Sequence, residues 1–212
     1  MVTRTNGPDS GPKASRPRDS RATAELLLTA ATAEFAQYGL AGARIDRIAE
    51  RAGANKRLLY VYFGDKDALF TAVLEHQVGR LAAETPLVDG DLVTYAGTRF
   101  DYLLAHPETA RLAAWRRFEA DHHTASEIEG YRAKVEAVAT AQRAGRVNDS
   151  LPAVDLFAMV LRITESWLDA PPALLAVAGE QPRTQERLAE HRAALIEAVR
   201  RITAPGPRAA AG

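Results

Sequence analysis

The chain has 212 residues, 47% of them hydrophobic, and a formal net charge of zero, so it is long enough to bury a core and reads as globular. The lack of cysteine excludes a disulfide framework, a thiolate metal site and a cysteine nucleophile, and fits a reducing cytoplasm. No apolar run approaches the roughly 18 residues that cross a bilayer, and no N-terminal apolar block would serve as a signal, so a soluble cytoplasmic protein with no membrane partner is expected.

The zero net charge hides an asymmetry. Residues 1–66 carry eleven Lys or Arg against seven Asp or Glu, whereas residues 67–212 carry sixteen against twenty. The first third is the part suited to phosphates. Residues 1–19 are rich in Pro, Gly and Ser, with Arg4, Lys13, Arg16 and Arg18 and little to bury. They read as a disordered basic arm, either idle or supplying an accessory phosphate contact.

From Ala22, apolar residues recur at helical steps (Leu26, Leu27, Ala30, Ala31, Phe35, Tyr38) until Gly39 stops them. A second, shorter helix is expected from about Arg44 to Ala52, with Ile45, Ile48, Ala49 and Ala52 on one stripe and Gly53 after it. Next comes ANKRLLYVYFGD, whose six consecutive apolar or aromatic residues resemble a strand by composition. Its flanks decide otherwise. Asn55 is a good N-cap, Gly64-Asp65 is a stop followed by another cap, and the neighbours on both sides are helical. Between Ala52 and Asn55 only a tight turn fits, which is the spacing of a helix-turn-helix. At 100° per residue the run divides in two. Leu58, Leu59, Tyr62 and Phe63 fall on a core-facing arc. Lys56, Arg57, Tyr60 and Val61 fall on the opposite one, where cations, a phenol and a branched apolar side chain suit phosphates, base edges and a thymine methyl. Asn55 and the free N–H groups at this helix start suit a phosphate.

A longer helix follows Asp65, signalled by Leu69, Phe70, Val73 and Leu74 and broken at Pro86. Further helices are expected near 91–105, 107–121, 126–144, 152–169 and 184–202. Pro107 and Pro152 sit at helix starts, and Pro171-Pro172 ends the penultimate helix. The fold class is therefore all-α.

The block from about Ala22 to Leu74, above all IDRIAERAGANKRLLYVYFGDKDALF at 45–70, resembles the DNA-binding domain of the TetR family of bacterial transcriptional regulators. The similarity covers about a quarter of the chain: an Ile-Ala pair, then Ala-Gly, Lys, Leu-Tyr, an aromatic pair ending in Phe, and Lys-Asp with Ala-Leu behind it. Between the arm over 1–19 and a tail over 204–212 that composition marks as loose, it implies a helix-turn-helix domain over 20–78 with its motif near 44–63 and a helical ligand-binding and dimerisation domain over 79–203. It also implies that Lys56, Arg57, Tyr60 and Val61 face base edges or phosphates, while Tyr62, Lys66 and Arg44 hold the DNA backbone. The chain departs from the family at three positions: Leu58 replaces a frequent hydroxyl or amide residue, Arg57 a frequent Gly, and Ala43 a frequent capping Thr.

The remaining aromatic residues admit two readings. Phe100, Trp115, Phe118, Tyr131 and Trp167 are either core or the wall of a ligand cavity between helices. Asp121-His122-His123 has metal-ligand chemistry, but adjacent helical residues point apart and no second cluster matches, so no metal site is expected. No Gly-rich phosphate loop, His-Glu-x-x-His or Gly-x-Ser-x-Gly occurs, so no catalytic residue or cofactor is assigned.

What the resemblance implies is a ligand-responsive regulator. It would be a repressor binding a double-stranded palindromic operator as a homodimer, released by a small-molecule effector. Helices 152–169 and 184–202 are the expected dimer contact, through Leu156, Phe157, Val160, Leu161, Ile163, Trp167, Leu188, Leu195, Ile196, Val199 and Ile202. Two other classes stay open: a helical sensor or scaffold without DNA binding, and a ligand-processing enzyme on the C-terminal core.

Overall fold

The computed structural model describes residues 17–119 and 123–206, and side chains over 21–116 and 123–206. Most of the expected arm, the pair Asp121-His122, the Phe118 side chain and the end of the tail lie outside them. Among the described residues there are ten α-helices and no strand: α1 (Pro17–Gly42), α2 (Ile45–Ala52), α3 (Lys56–Phe63), α4 (Lys66–Glu84), α5 (Leu92–Ala105), α6 (Pro107–Glu119), α7 (Ala125–Arg143), α8 (Ala153–Glu165), α9 (Pro172–Val177) and α10 (Gln185–Thr203). The chain divides into two compact units, Met1–Ala72 and Val73–Gly212, with the division inside α4.

In the first unit α1 starts at Pro17, five residues before Ala22. Gly39, at φ 66° and ψ −178°, breaks the helix as expected, but a further short turn runs on to Gly42. Leu27, Ala31 and Phe35 from α1, Ile48 and Ala49 from α2, Leu59 from α3, and Leu69 and Phe70 from α4 are all buried. The Phe35 and Phe70 rings meet edge-on, with centroids 5.0 Å apart. Burial of each large side chain stabilises the unit by about 1.5–3 kcal/mol, and this small core is what fixes the orientation of α3.

The second unit is organised around α5, which packs against α10, α8 and α6, while α8 also packs against α7 and α10. Asp91 caps α5 by accepting the N–H groups of Val93 and Thr94 at 3.1 and 3.0 Å. Just before it, Gly90 has φ 75°, and a Cβ there would lie 2.6 Å from Ala141 Cβ, so α7 passes where only glycine fits. The central core joins Leu92, Tyr95, Ala96 and Phe100 of α5, Val138 and Ala141 of α7, Leu156, Phe157 and Val160 of α8, and Leu195 and Val199 of α10.

The side chains named for the expected dimer contact lie largely in this core. Leu156, Phe157, Val160, Leu195 and Val199 are buried within the protomer, Trp167 is nearly so, and Leu161, Ile163, Leu188, Ile196 and Ile202 pack against the same core. The apolar faces of α8 and α10 are turned inward because the unit needs them for its own interior. Outward on these helices are Val154 and Met159 of α8 and Ala189, Ala193, Ala194 and Ala198 of α10. The short helix α9 was not anticipated: Pro171-Pro172 does end the preceding segment, but Pro172 also opens a new turn of helix, as a proline at a first helical position can.

Candidate nucleic-acid interface and the cavity of the second unit

The turn before α3 depends on Gly53. It has φ 61° and ψ 29°, its N–H reaches Glu50 O at 3.1 Å, and the following Ala54 N–H reaches Ala49 O at 3.0 Å. These paired bonds close the end of α2 and need the left-handed conformation that glycine adopts freely. Asn55 then caps α3, its Oδ1 accepting the Arg57 N–H at 2.8 Å.

The two arcs read from the sequence are visible in burial. Leu59 is 2% exposed, and Leu58, Tyr62 and Phe63 are half-buried, with the Tyr62 and Phe63 rings 6.2 Å apart. Tyr60 and Val61 are 48% and 67% exposed, and Asn55, Lys56 and Arg57 are exposed beside them. Among the described residues Arg57 has no side-chain partner, so its guanidinium is available to a ligand. Lys56 is engaged: its Nζ lies 2.7 Å from Asp46 Oδ1 on α2, a hydrogen bond and charge that hold its ammonium above the ordinary lysine value.

Arg44 and Lys66 are placed differently from Arg57. Arg44 occupies the N-cap position of α2 with an extended backbone and an exposed side chain. Lys66 Nζ donates to Ala41 O and Ala43 O, each at 3.4 Å, so its charge sits against carbonyls at the junction of α1 and α2. Any phosphate contact by Lys66 uses its remaining donor.

The start of α2 has no side-chain cap, in line with Ala43 standing in place of a Thr. Glu34, buried at 1% exposure, instead crosses from α1. Its Oε1 accepts the Arg44 backbone N–H at 3.0 Å and Arg47 Nε at 2.7 Å. Arg47 also lies 4.2 Å over the Tyr38 ring and donates to Gly42 O at 3.0 Å. Glu34 was not singled out from the sequence, yet a signal was present. It shares the helical stripe of Leu27, Ala31 and Phe35, and a carboxylate on a buried stripe requires a partner.

Within the second unit, α4, α5, α6, α7 and α8 enclose a cavity of about 350 Å³. Its wall is largely aliphatic: Leu74, Val78 and Leu81 of α4, Leu103 of α5, Ala110, Leu112 and Ala113 of α6, Ala158 and Leu161 of α8, and Leu168 beyond it. Gln77 and Thr109 also line it and are bonded to each other, Thr109 Oγ1 donating to Gln77 Oε1 at 3.0 Å. The charged wall residues are paired. Arg116 grips both carboxylate oxygens of Glu127 at 2.8 Å. Glu165 accepts from Arg99 at 2.7 Å and from Arg162 at 2.6 Å, and Arg162 reaches Asp169 at 3.3 Å.

Of the five aromatic residues nominated for a ligand wall, Tyr131 lines the cavity and is 40% exposed. Phe100 is fully buried in the core, at 0% exposure. Trp167 is also outside the wall: its Nε1 donates to Pro182 O at 3.1 Å, and its ring lies against His191 at 4.9 Å and Arg187 at 4.5 Å. Trp115 is half-buried and is not among the wall residues. Phe118 lies outside the described side chains. The wall comes instead from aliphatic residues and from Arg99, Arg116, Glu127, Arg162 and Glu165. Arg99 carried a signal like that of Glu34, since it shares the buried α5 stripe of Leu92, Ala96 and Leu103.

Among the described residues no group of three His, Asp or Glu side chains is placed to hold a metal ion, and no helix is long and apolar enough to cross a membrane.

Comparisons with known proteins agree with this architecture. Residues 27–73 match the sequence model of bacterial regulatory proteins of the tetR family, and residues 91–201 match that of the tetracyclin repressor-like C-terminal domain. The chain is 40% identical over 161 residues to the HTH-type transcriptional repressor SCO4008 of Streptomyces coelicolor, covering 74% of this chain and 83% of that protein. It is 27% identical over 203 residues to the HTH-type transcriptional regulator RutR of Escherichia coli K12, covering 91% and 94%. Among solved structures, the putative transcriptional regulator SCO4942 of Streptomyces coelicolor superposes with a TM-score of 0.77 at 34% identity, over 87% of this chain and 99% of that one. These relatives are named as transcriptional repressors or regulators, which favours a regulator over the ligand-processing alternative. With a matching N-terminal model, a C-terminal model spanning half of the chain and a 40% identical relative, the chain belongs to the TetR family of bacterial transcriptional regulators.

Proposed function

We propose that this protein is a ligand-responsive repressor that binds a palindromic operator as a homodimer and leaves it when a small molecule enters the cavity of the second unit. The observation that carries the reading is the division of α3. One side of this eight-residue helix is anchored by Leu59, while the other exposes Tyr60 and Val61 next to an unpaired Arg57. An exposed phenol and an exposed valine gain little in water but suit base edges and a thymine methyl in a major groove. Arg44 and the capped start of α3 suit the flanking phosphates. Two copies of α3, about 34 Å apart in a two-fold dimer, would enter successive major grooves.

With the expected apolar faces occupied by the protomer's own core, the dimer contact is reassigned to the outward faces of the same two helices. Val154, Met159, Ala193 and Ala194 are apolar and exposed there, and alanines allow two helix backbones to approach closely. The release step requires that the effector bind the two forms of the dimer unequally. Titration of the full chain against DNA from the region upstream of its own gene, followed by fluorescence anisotropy at low salt, tests the core claim. Saturable binding without ligand is the expected outcome; no binding at about 50 mM salt refutes it, because phosphate contacts are strongest there.

A further inference from the structure

We propose that the effector is an uncharged, largely aliphatic molecule and that the cavity discriminates against organic ions of the same shape. The proposal rests on the reading of this cavity as the effector site and adds the chemical class of the ligand. Its basis is the state of the charges on the wall. Three guanidinium groups and three carboxylates line the cavity, and all six are engaged with one another at 2.6–3.3 Å. The Arg116–Glu127 pair is bidentate, with Glu127 buried at 7% exposure, so neither member turns to a ligand without leaving the other unpaired. Glu165 is shared between Arg99 and Arg162 and is likewise committed.

An ion entering this space gives up hydration and finds each wall charge already paired; the Arg99 Nε–H has no partner, but it belongs to a guanidinium already held by Glu165, so an anion gains one donor there and no free counter-charge. An uncharged aliphatic body meets Leu74, Val78, Leu103, Leu112 and Leu161 and has no such deficit. The volume of about 350 Å³ lies within the range of cavities that take small organic ligands. Ala113, Ala158 and Arg162 line the cavity and are also exposed, which marks them as its mouth.

Three probes with one skeleton test this: 1-decanol, decanoate and decylammonium, each titrated below its micelle concentration into the full chain at pH 7.5 and followed by calorimetry. The expected result is that decanol binds at least tenfold more tightly than either ion; an ion binding as tightly as the alcohol overturns the proposal. Breaking one wall pair should invert the selectivity. Arg116→Gln leaves Glu127 without its counter-charge and should strengthen decylammonium binding at least tenfold while decanol binding stays within threefold. Unchanged ion selectivity in a variant that still melts cooperatively overturns the account. Ala113→Trp, a change at an exposed wall position, should abolish decanol binding, and retained binding would place the probe elsewhere and likewise refute the assignment. Operator release by bound decanol is read in a separate anisotropy experiment: binding without release counts against the response mechanism and leaves the ligand class standing.

Discussion

Adjacent residues of α3 should respond to truncation in opposite ways, and Leu59→Ala set against Tyr60→Ala measures this directly. Leu59 is 2% exposed, so its truncation removes buried methyl groups from a small core; Leu→Ala changes at such sites cost about 2–5 kcal/mol. For a unit the size of Met1–Ala72, even about 2 kcal/mol lowers the midpoint of thermal unfolding by roughly 8 °C or more. Tyr60 is 48% exposed, so its removal should change stability by no more than about 0.5 kcal/mol. Its effect belongs to the complex. A base-reading side chain contributes about 1–3 kcal/mol, and a homodimer carries two copies, so Tyr60→Ala should weaken operator binding by at least about 2 kcal/mol, or roughly 30-fold. Calorimetry of the unbound variants and anisotropy titration of operator DNA separate the two effects. An unchanged operator affinity for Tyr60→Ala, with the fold intact, would show that α3 presents another face to DNA, and a large stability loss in that variant would show that Tyr60 is structural.

Arg57→Gln removes the unpaired cation of the reading face. The slope of log affinity against log salt should become shallower by about 0.9 per subunit, and an unchanged slope over 50–200 mM salt would exclude a phosphate contact by this residue. Gly53→Ala and Gly90→Ala both place a side chain at positive φ, but a Cβ at Gly53 meets nothing within 4 Å whereas one at Gly90 lies 2.6 Å from Ala141 Cβ. Gly53→Ala should therefore cost only the conformational term, about 1–2 kcal/mol, and Gly90→Ala clearly more in chemical denaturation; equal costs would refute the steric account. Burial, with the charge of Arg187 second, lowers the His191 imidazole below its ordinary value of 6.5. The unfolded chain then binds this proton at higher pH than the folded one, so the contribution of His191 is present above about 6.5 and is lost as pH falls from there towards the folded value. His191→Gln should flatten the dependence of the urea midpoint between pH 7.5 and 5, and parallel profiles for variant and wild type would contradict it.

The N-terminal half of this reading was legible in the sequence because its decisive geometry is local. Whether Tyr60 falls on a different arc from Leu59 depends only on the turn of one short helix, and whether α2 and α3 can form a helix-turn-helix depends on Gly53 and Asn55, which are two residues apart in the chain. The second unit was less legible for the complementary reason. Helical periodicity shows that the stripe of Leu156, Phe157 and Val160 is buried, but not whether it is buried against the same chain or a second copy, and the structure assigns it to the protomer's own core. Aromatic character likewise did not distinguish Phe100, which is core, from Tyr131, which lines the cavity; the distinction is made by the helices that pack around each ring, which are distant in the sequence.

Charged residues on buried stripes lie between these limits. Glu34 and Arg99 both stand at positions where their helix turns inward, so the need for a counter-charge can be read from each helix alone. The identity of the partner cannot. Glu34 finds Arg47 only 13 residues on, in the next helix, whereas Arg99 finds Glu165 across 66 residues and three inter-helix connections. The first pair locks the entry to α2, which packs against α3, the helix proposed to read DNA; the second helps to build the charge-compensated wall of the cavity. In both units, then, the ionic residue that periodicity marks as misplaced is the one that shapes the proposed functional surface, and its sequence signal is an unmet electrostatic requirement rather than a motif.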